Sequence, residues 1–123
     1  MRTPKPVLDR RRGVRIAEKL PFKIGLENYE AEAVTVNISV NGALCLVERE
    51  IPIMTQLKVA LTLPLISKAS SQKNKLLSMK GVVVRKEKDP AREGYYIAIY
   101  FSDIKPNDRK FLSQFIESRL PAA

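Results

Sequence analysis

The chain of 123 residues contains no histidine. That removes the commonest general base, the commonest transition-metal ligand and the usual proton switch near neutrality. There is a single cysteine, Cys45, inside the apolar run Gly42 to Val47. One cysteine makes no internal bridge, and one set among apolar neighbours reads as a small buried hydrophobe, not a nucleophile. No glycine-rich phosphate loop and no paired-carboxylate signature is present, so an enzyme is not expected. Long hydrophobic runs are missing too. The best apolar window, Val59 to Ile66, is far too short to span a bilayer. Met1 to Pro6 carries charge with no apolar stretch of signal-peptide length behind it, which leads us to expect a cytoplasmic protein.

Acidic residues are also scarce. Twenty-two Lys and Arg face thirteen Asp and Glu, a net charge of +9. The excess is uneven. Residues 1–23 carry +6, leaving +3 for the other hundred. This asymmetry points to an anionic partner met at the N-terminal end: nucleic acid, nucleotide or membrane surface. Its centre is Arg10-Arg11-Arg12-Gly13-Val14-Arg15. Arginine is charged at any cellular pH and is not buried unpaired, so the run is either a solvated arm or a grip for an anion. Arg11 and Arg15 project together if the segment coils, or stand about 13 Å apart if it is extended.

What is present elsewhere is alternation. Residues 1–8, with two prolines, read as a flexible N-terminal arm. Phe22 to Leu26 reads as a first strand. Tyr29 to Ser39 reads as a second, with Val34, Val36 and Ile38 facing the core and Thr35, Asn37 and Ser39 outward. Asn41-Gly42 is a tight-turn signal, and Ala43 to Val47 the returning strand. Leu57, Val59, Leu61 and Leu63 mark a fourth strand, ending at Pro64. Residues 67–74 are a polar connection, Leu76 to Arg85 a fifth strand, and Tyr95 to Phe101 a sixth with Ile97, Ile99 and Phe101 inward. The period then becomes helical through Ile104, Phe111, Leu112, Phe115, Ile116 and Leu120, with Pro106 suited to the first turn and Pro121 marking the stop. Six antiparallel strands without crossover helices, followed by one amphipathic helix, predict an all-β barrel with a C-terminal helix over one opening. We expect one domain over residues 9–120, with the closing helix at about 106–120.

Two short patterns stand in order on this scaffold. Arg11 and Arg15 form Arg-x-x-x-Arg. Asn37, Ser39 and Gly42 form Asn-x-Ser-x-x-Gly, which starts 22 residues after Arg15. Together, ahead of this strand pattern, they resemble the PilZ family over about residues 9–118. The resemblance implies a six-stranded antiparallel β-barrel, and a bacterial receptor for the second messenger cyclic di-GMP that needs no metal or other cofactor. It implies that Arg11 and Arg15 reach guanine edges and phosphates by bidentate bonds, that Asn37 and Ser39 hold a guanine against the barrel wall, and that Gly42 keeps the turn tight. Many members have a glycine near the position of Ala98. Arg10 and Arg12 exceed what the motif needs and are not carried over. Ordering the arginine arm on the ligand would present a new surface to a protein effector, which the sequence does not identify. The alternatives are a ligand-independent PilZ adaptor working by protein contacts and a small basic barrel for single-stranded nucleic acid. For the latter, Tyr29, Tyr95, Tyr96 and Tyr100 are available but scattered.

Overall fold

The computed structural model describes residues 14–27, 29–65 and 73–120. The arm over residues 1–8, and Arg10, Arg11 and Arg12, lie outside them. Among the described residues there are six strands: β1 (Pro21–Leu26), β2 (Tyr29–Ile38), β3 (Gly42–Val47), β4 (Gln56–Leu65), β5 (Lys73–Lys88) and β6 (Tyr95–Ile104). They close in the order β1-β2-β3-β6-β5-β4, every pair antiparallel. Closure gives each strand a partner on both sides and leaves no open sheet edge. The alternating runs supply the interior. Leu57, Val59, Leu61 and Leu63 of β4 and Ile97, Ile99 and Phe101 of β6 are all buried, as their period predicts. Cys45 is fully buried beside them, and burial pushes its thiol up to about 12, so it stays protonated and unreactive at neutral pH.

β2 departs from the expected alternation. Val34 and Val36 face outward, 47% and 39% exposed, whereas Ala33 and Thr35 face inward. A bulge between Thr35 and Asn37 inserts one residue against β3, so the inward phase passes from Thr35 to Ile38. The register has physical reasons. Ala33 pairs with Phe22 and leaves room for its ring. The Thr35 hydroxyl accepts the N–H of Leu20 at 2.9 Å and donates to the carbonyl of Glu18, and the Thr35 N–H donates to the carbonyl of Leu20 at 3.2 Å. Thr35 therefore pins the segment leading into β1, a task no valine could perform. Thr35→Val keeps the shape and strips both side-chain bonds. It is expected to cost about 1–3 kcal/mol, read in a urea titration as a lower midpoint with an unchanged slope.

The single described helix, α1 (Pro106–Arg119), has proline in its first turn, Asp108 near its N-terminus and Arg119 near its C-terminus, each favourable to the helix dipole. Ile104, expected within the helical period, belongs instead to β6 and pairs with Met79. Leu112, Phe115 and Ile116 enter the core. Three polar ties fix the helix over one end of the barrel. Arg109 Nη1 lies 3.5 Å from the Val40 carbonyl, Lys75 Nζ stands 5.1 Å from the Phe111 ring centre, and Arg119 Nε reaches Glu18 Oε1 at 3.2 Å. Their barrel partners sit on the β2–β3 turn, the start of β5 and the approach to β1, which antiparallel order brings to the same opening.

Candidate functional site

Ahead of β1 the chain does not leave the barrel. Leu20 meets Thr35, and Ile16 exchanges two bonds with Ile38, at 2.9 and 3.0 Å. Both Ile16 and Leu20 are buried. The segment thus prolongs the β1–β2 ladder along the part of β2 that β1 does not cover. Arg15 lies one residue beyond the Ile16–Ile38 bridge, diagonal to Asn37. Its Nη1 donates to Asn37 Oδ1 at 2.8 Å. The bond joins the second arginine of one motif to the first residue of the other. Arg15 is exposed and Asn37 half-buried. Asn37 is neutral, so the guanidinium keeps its charge and most of its five donors for another acceptor.

The other two motif residues act differently from the expectation. Ser39 does not share an outer face with Asn37; it is 2% exposed. Its Oγ accepts the N–H of Asn41 at 3.1 Å and lies 3.5 Å from the Gly42 carbonyl, which also accepts the Ser39 N–H at 2.8 Å. The β2 bulge turned Ile38 inward, and the chain then curls so that the hydroxyl is spent inside the turn. The turn itself is centred on Val40 and Asn41, not on Asn41-Gly42. Gly42 opens β3. A Cβ there would stand 2.2 Å from the Ile99 carbonyl oxygen and 3.3 Å from Tyr100 Cα. Its close approach is therefore to the backbone of β6. The Asn41 carbonyl accepts the Phe101 N–H at 2.8 Å, which ties the same turn to β6.

Of the five residues singled out, Arg15, Asn37, Ser39 and Gly42 converge at one end of β2, while Arg11 lies outside the described residues. Sequence reasoning missed Arg119 and Arg109, which brace the segment ahead of β1 through Glu18 and the turn through Val40. Glu18 and Arg119 are 101 positions apart, and no local pattern links them. Two large clefts, of about 940 and 890 Å³, open elsewhere on the barrel and include none of the four motif residues. Of the motif residues, only Arg15 and the half-buried Asn37 reach the surface, whereas Ser39 and Gly42 are buried beneath them. Among the described residues no group of three or more His, Cys, Asp or Glu could hold a metal, and no helix is long and apolar enough to cross a membrane.

The PilZ domain family model matches residues 9–118. Solved structures share the architecture. The Bacillus subtilis inhibitor of motility, MotI/DgrA, superposes with a TM-score of 0.73 at 21% identity, over 86% of this chain and 49% of that one. The PilZ domain of YcgR from Escherichia coli, solved with c-di-GMP, gives 0.58 at 15% identity, over 85% and 87%. Borreliella burgdorferi PlzA, in complex with c-di-GMP, gives 0.53 at 15% identity, over 97% and 58%. The chain therefore spans about half the length of the MotI/DgrA chain. No curated protein sequence matches it.

Proposed function

The chain belongs to the PilZ domain family, and we propose that it is a receptor for cyclic di-GMP that signals to a protein partner. The observation that carries this reading is the Arg15–Asn37 hydrogen bond, which brings the two sequence motifs together on one exposed face. Two structural neighbours were solved with the same ligand. Arg15 then offers its fork to a phosphate or to the O6/N7 edge of a guanine, and Asn37 presents its amide to the base. Arg11 would follow from the arm. Ser39 and Gly42 serve by shaping the β2–β3 turn on which Asn37 depends. Ile16–Ile38 anchors Arg15 in advance, so its backbone needs no ordering on the ligand. The Glu18–Arg119 pair joins this segment to α1. A change in the arm is thereby passed to the helix and to a partner that reads either.

A ligand-independent adaptor is the second reading. It is favoured by apolar side chains on the barrel's outer wall, Val34 at 47% and Leu76 at 60% exposed. Calorimetric titration at near-physiological salt separates the two. The receptor reading expects selective binding of cyclic di-GMP over cyclic di-AMP and GMP, abolished by the Arg11→Ala/Arg15→Ala double variant. Silence with all three ligands would leave the adaptor.

A further inference from the structure

The outer wall beside Asn37 carries a second arginine that neither motif contains. Asn37, Leu44, Ala98 and Arg85 are successive register partners on β2, β3, β6 and β5. They form one row across four strands. Three strand spacings separate its ends, about 14 Å. Leu44 and Ala98 are half-buried and make a low apolar floor between two polar ends. Tyr96 and Tyr100 stand on β6 on either side of Ala98, Tyr100 being 51% exposed. A bulge between Val83 and Arg85 decides what closes the row. It takes Val84 out of register, so Arg85 is the residue set opposite small Ala98.

Arg85 is exposed and, among the described residues, has no hydrogen bond, ion pair or ring contact. Neighbouring cations on that side of the barrel are occupied. Lys86 pairs with Glu50, Lys88 lies over the Tyr95 ring and Arg49 over that of Tyr29. The acid nearest along the strand, Glu87, belongs to the next row, opposite Tyr96. A free arginine at one end of a shallow apolar row, with Arg15 near the other end, suits an elongated dianion with flat rings.

We propose that Arg85 is a second cationic contact for the cyclic dinucleotide, gripping the nucleotide that Arg15 and Asn37 do not hold. This inference rests on the receptor reading. A ligand with two phosphates and two guanines, held at Asn37 by one half, lays its other half along the wall. The path over Leu44 and Ala98 is the one that carries charge at its end. The planar fork matters as well as the charge, because a phosphate or guanine edge takes two parallel hydrogen bonds from arginine and one from lysine.

The test is calorimetric titration of cyclic di-GMP into the full chain and four variants: Arg85→Ala, Arg85→Lys, Arg15→Ala and Lys58→Ala. Lys58 is an exposed cation on β4 and controls for net charge alone. Arg85→Ala is expected to weaken binding about tenfold, Arg85→Lys by less, and Lys58→Ala not measurably. The melting temperature of free Arg85→Ala should match that of the parent. Parent-like affinity in Arg85→Ala, with binding lost in Arg15→Ala, overturns the inference and spares the receptor. Equal losses in Arg85→Ala and Lys58→Ala also overturn it, since general electrostatics would then suffice. If the parent chain does not bind, both readings fall.

Discussion

Arg15→Ala is expected to reduce affinity for cyclic di-GMP roughly a hundredfold, about 2–3 kcal/mol, because it removes a charge-assisted fork from an anionic ligand. The unliganded fold should scarcely respond. Arg15 is exposed and its one hydrogen bond runs to a neutral amide, so the melting temperature should stay within about a degree of the parent's. Asn37→Ala should also weaken binding, since it removes the acceptor that holds Arg15 in place and, on the receptor reading, a base contact. If the two act as a unit, the double variant will lose less than the sum of the single losses. Additive losses would show that the Arg15–Asn37 bond does not organise the site. Undiminished affinity in Arg15→Ala would remove the receptor reading's central claim.

The second large effect is on stability and falls at Gly42. Alanine there would put its Cβ 2.2 Å from the Ile99 carbonyl oxygen. The clash is with the backbone of β6, where no flexible side chain can swing aside. Either β3 separates from β6 or the β2–β3 turn is rebuilt. Gly42→Ala is expected to cost about 3 kcal/mol and to lower the melting temperature by roughly 10–15 °C. Gly25→Ala supplies the contrast. Its Cβ would meet nothing closer than Glu30 Cγ at 3.8 Å, and the change should be neutral to within about 0.5 kcal/mol. If both variants melt alike, the close packing of β3 on β6 is not what Gly42 provides. A refolded Gly42→Ala protein should bind ligand more weakly as well, because the turn it distorts carries Asn37.

Much of the molecule was readable one segment at a time. The alternation of β4 at the odd positions 57 to 63 needs no neighbour to explain it, because apolar residues every second position have one face to hide. The change of period after β6 marked α1, although Ile104 was credited to the wrong element because a strand's last inward residue can fall in phase with a helix that follows. The family resemblance grouped Arg11, Arg15, Asn37, Ser39 and Gly42, and Arg15, Asn37, Ser39 and Gly42 lie at one end of β2.

The failures share a cause. Val34 and Val36 look like core and Thr35 like surface when β2 is read alone. The pairing of β2 with β3 places the bulge, and the bonds of Thr35 to Glu18 and Leu20, in the segment leading into β1, hold it inward. Ser39 turned inward for the same reason. Gly42 reads as a turn glycine, yet the atom that forbids a side chain there belongs to Ile99, on a strand that arrives much later in the chain. The brace between Glu18 and Arg119 is equally invisible until the barrel closes. By itself the sequence determined which residues face in along regular strands and where the helix begins. Only the tertiary structure decided the bulges, the burial of Ser39, the neighbour that Gly42 must admit and the row that ends in Arg85. Side-chain period is a property of one strand, but register, bulge and close approach are properties of a pair.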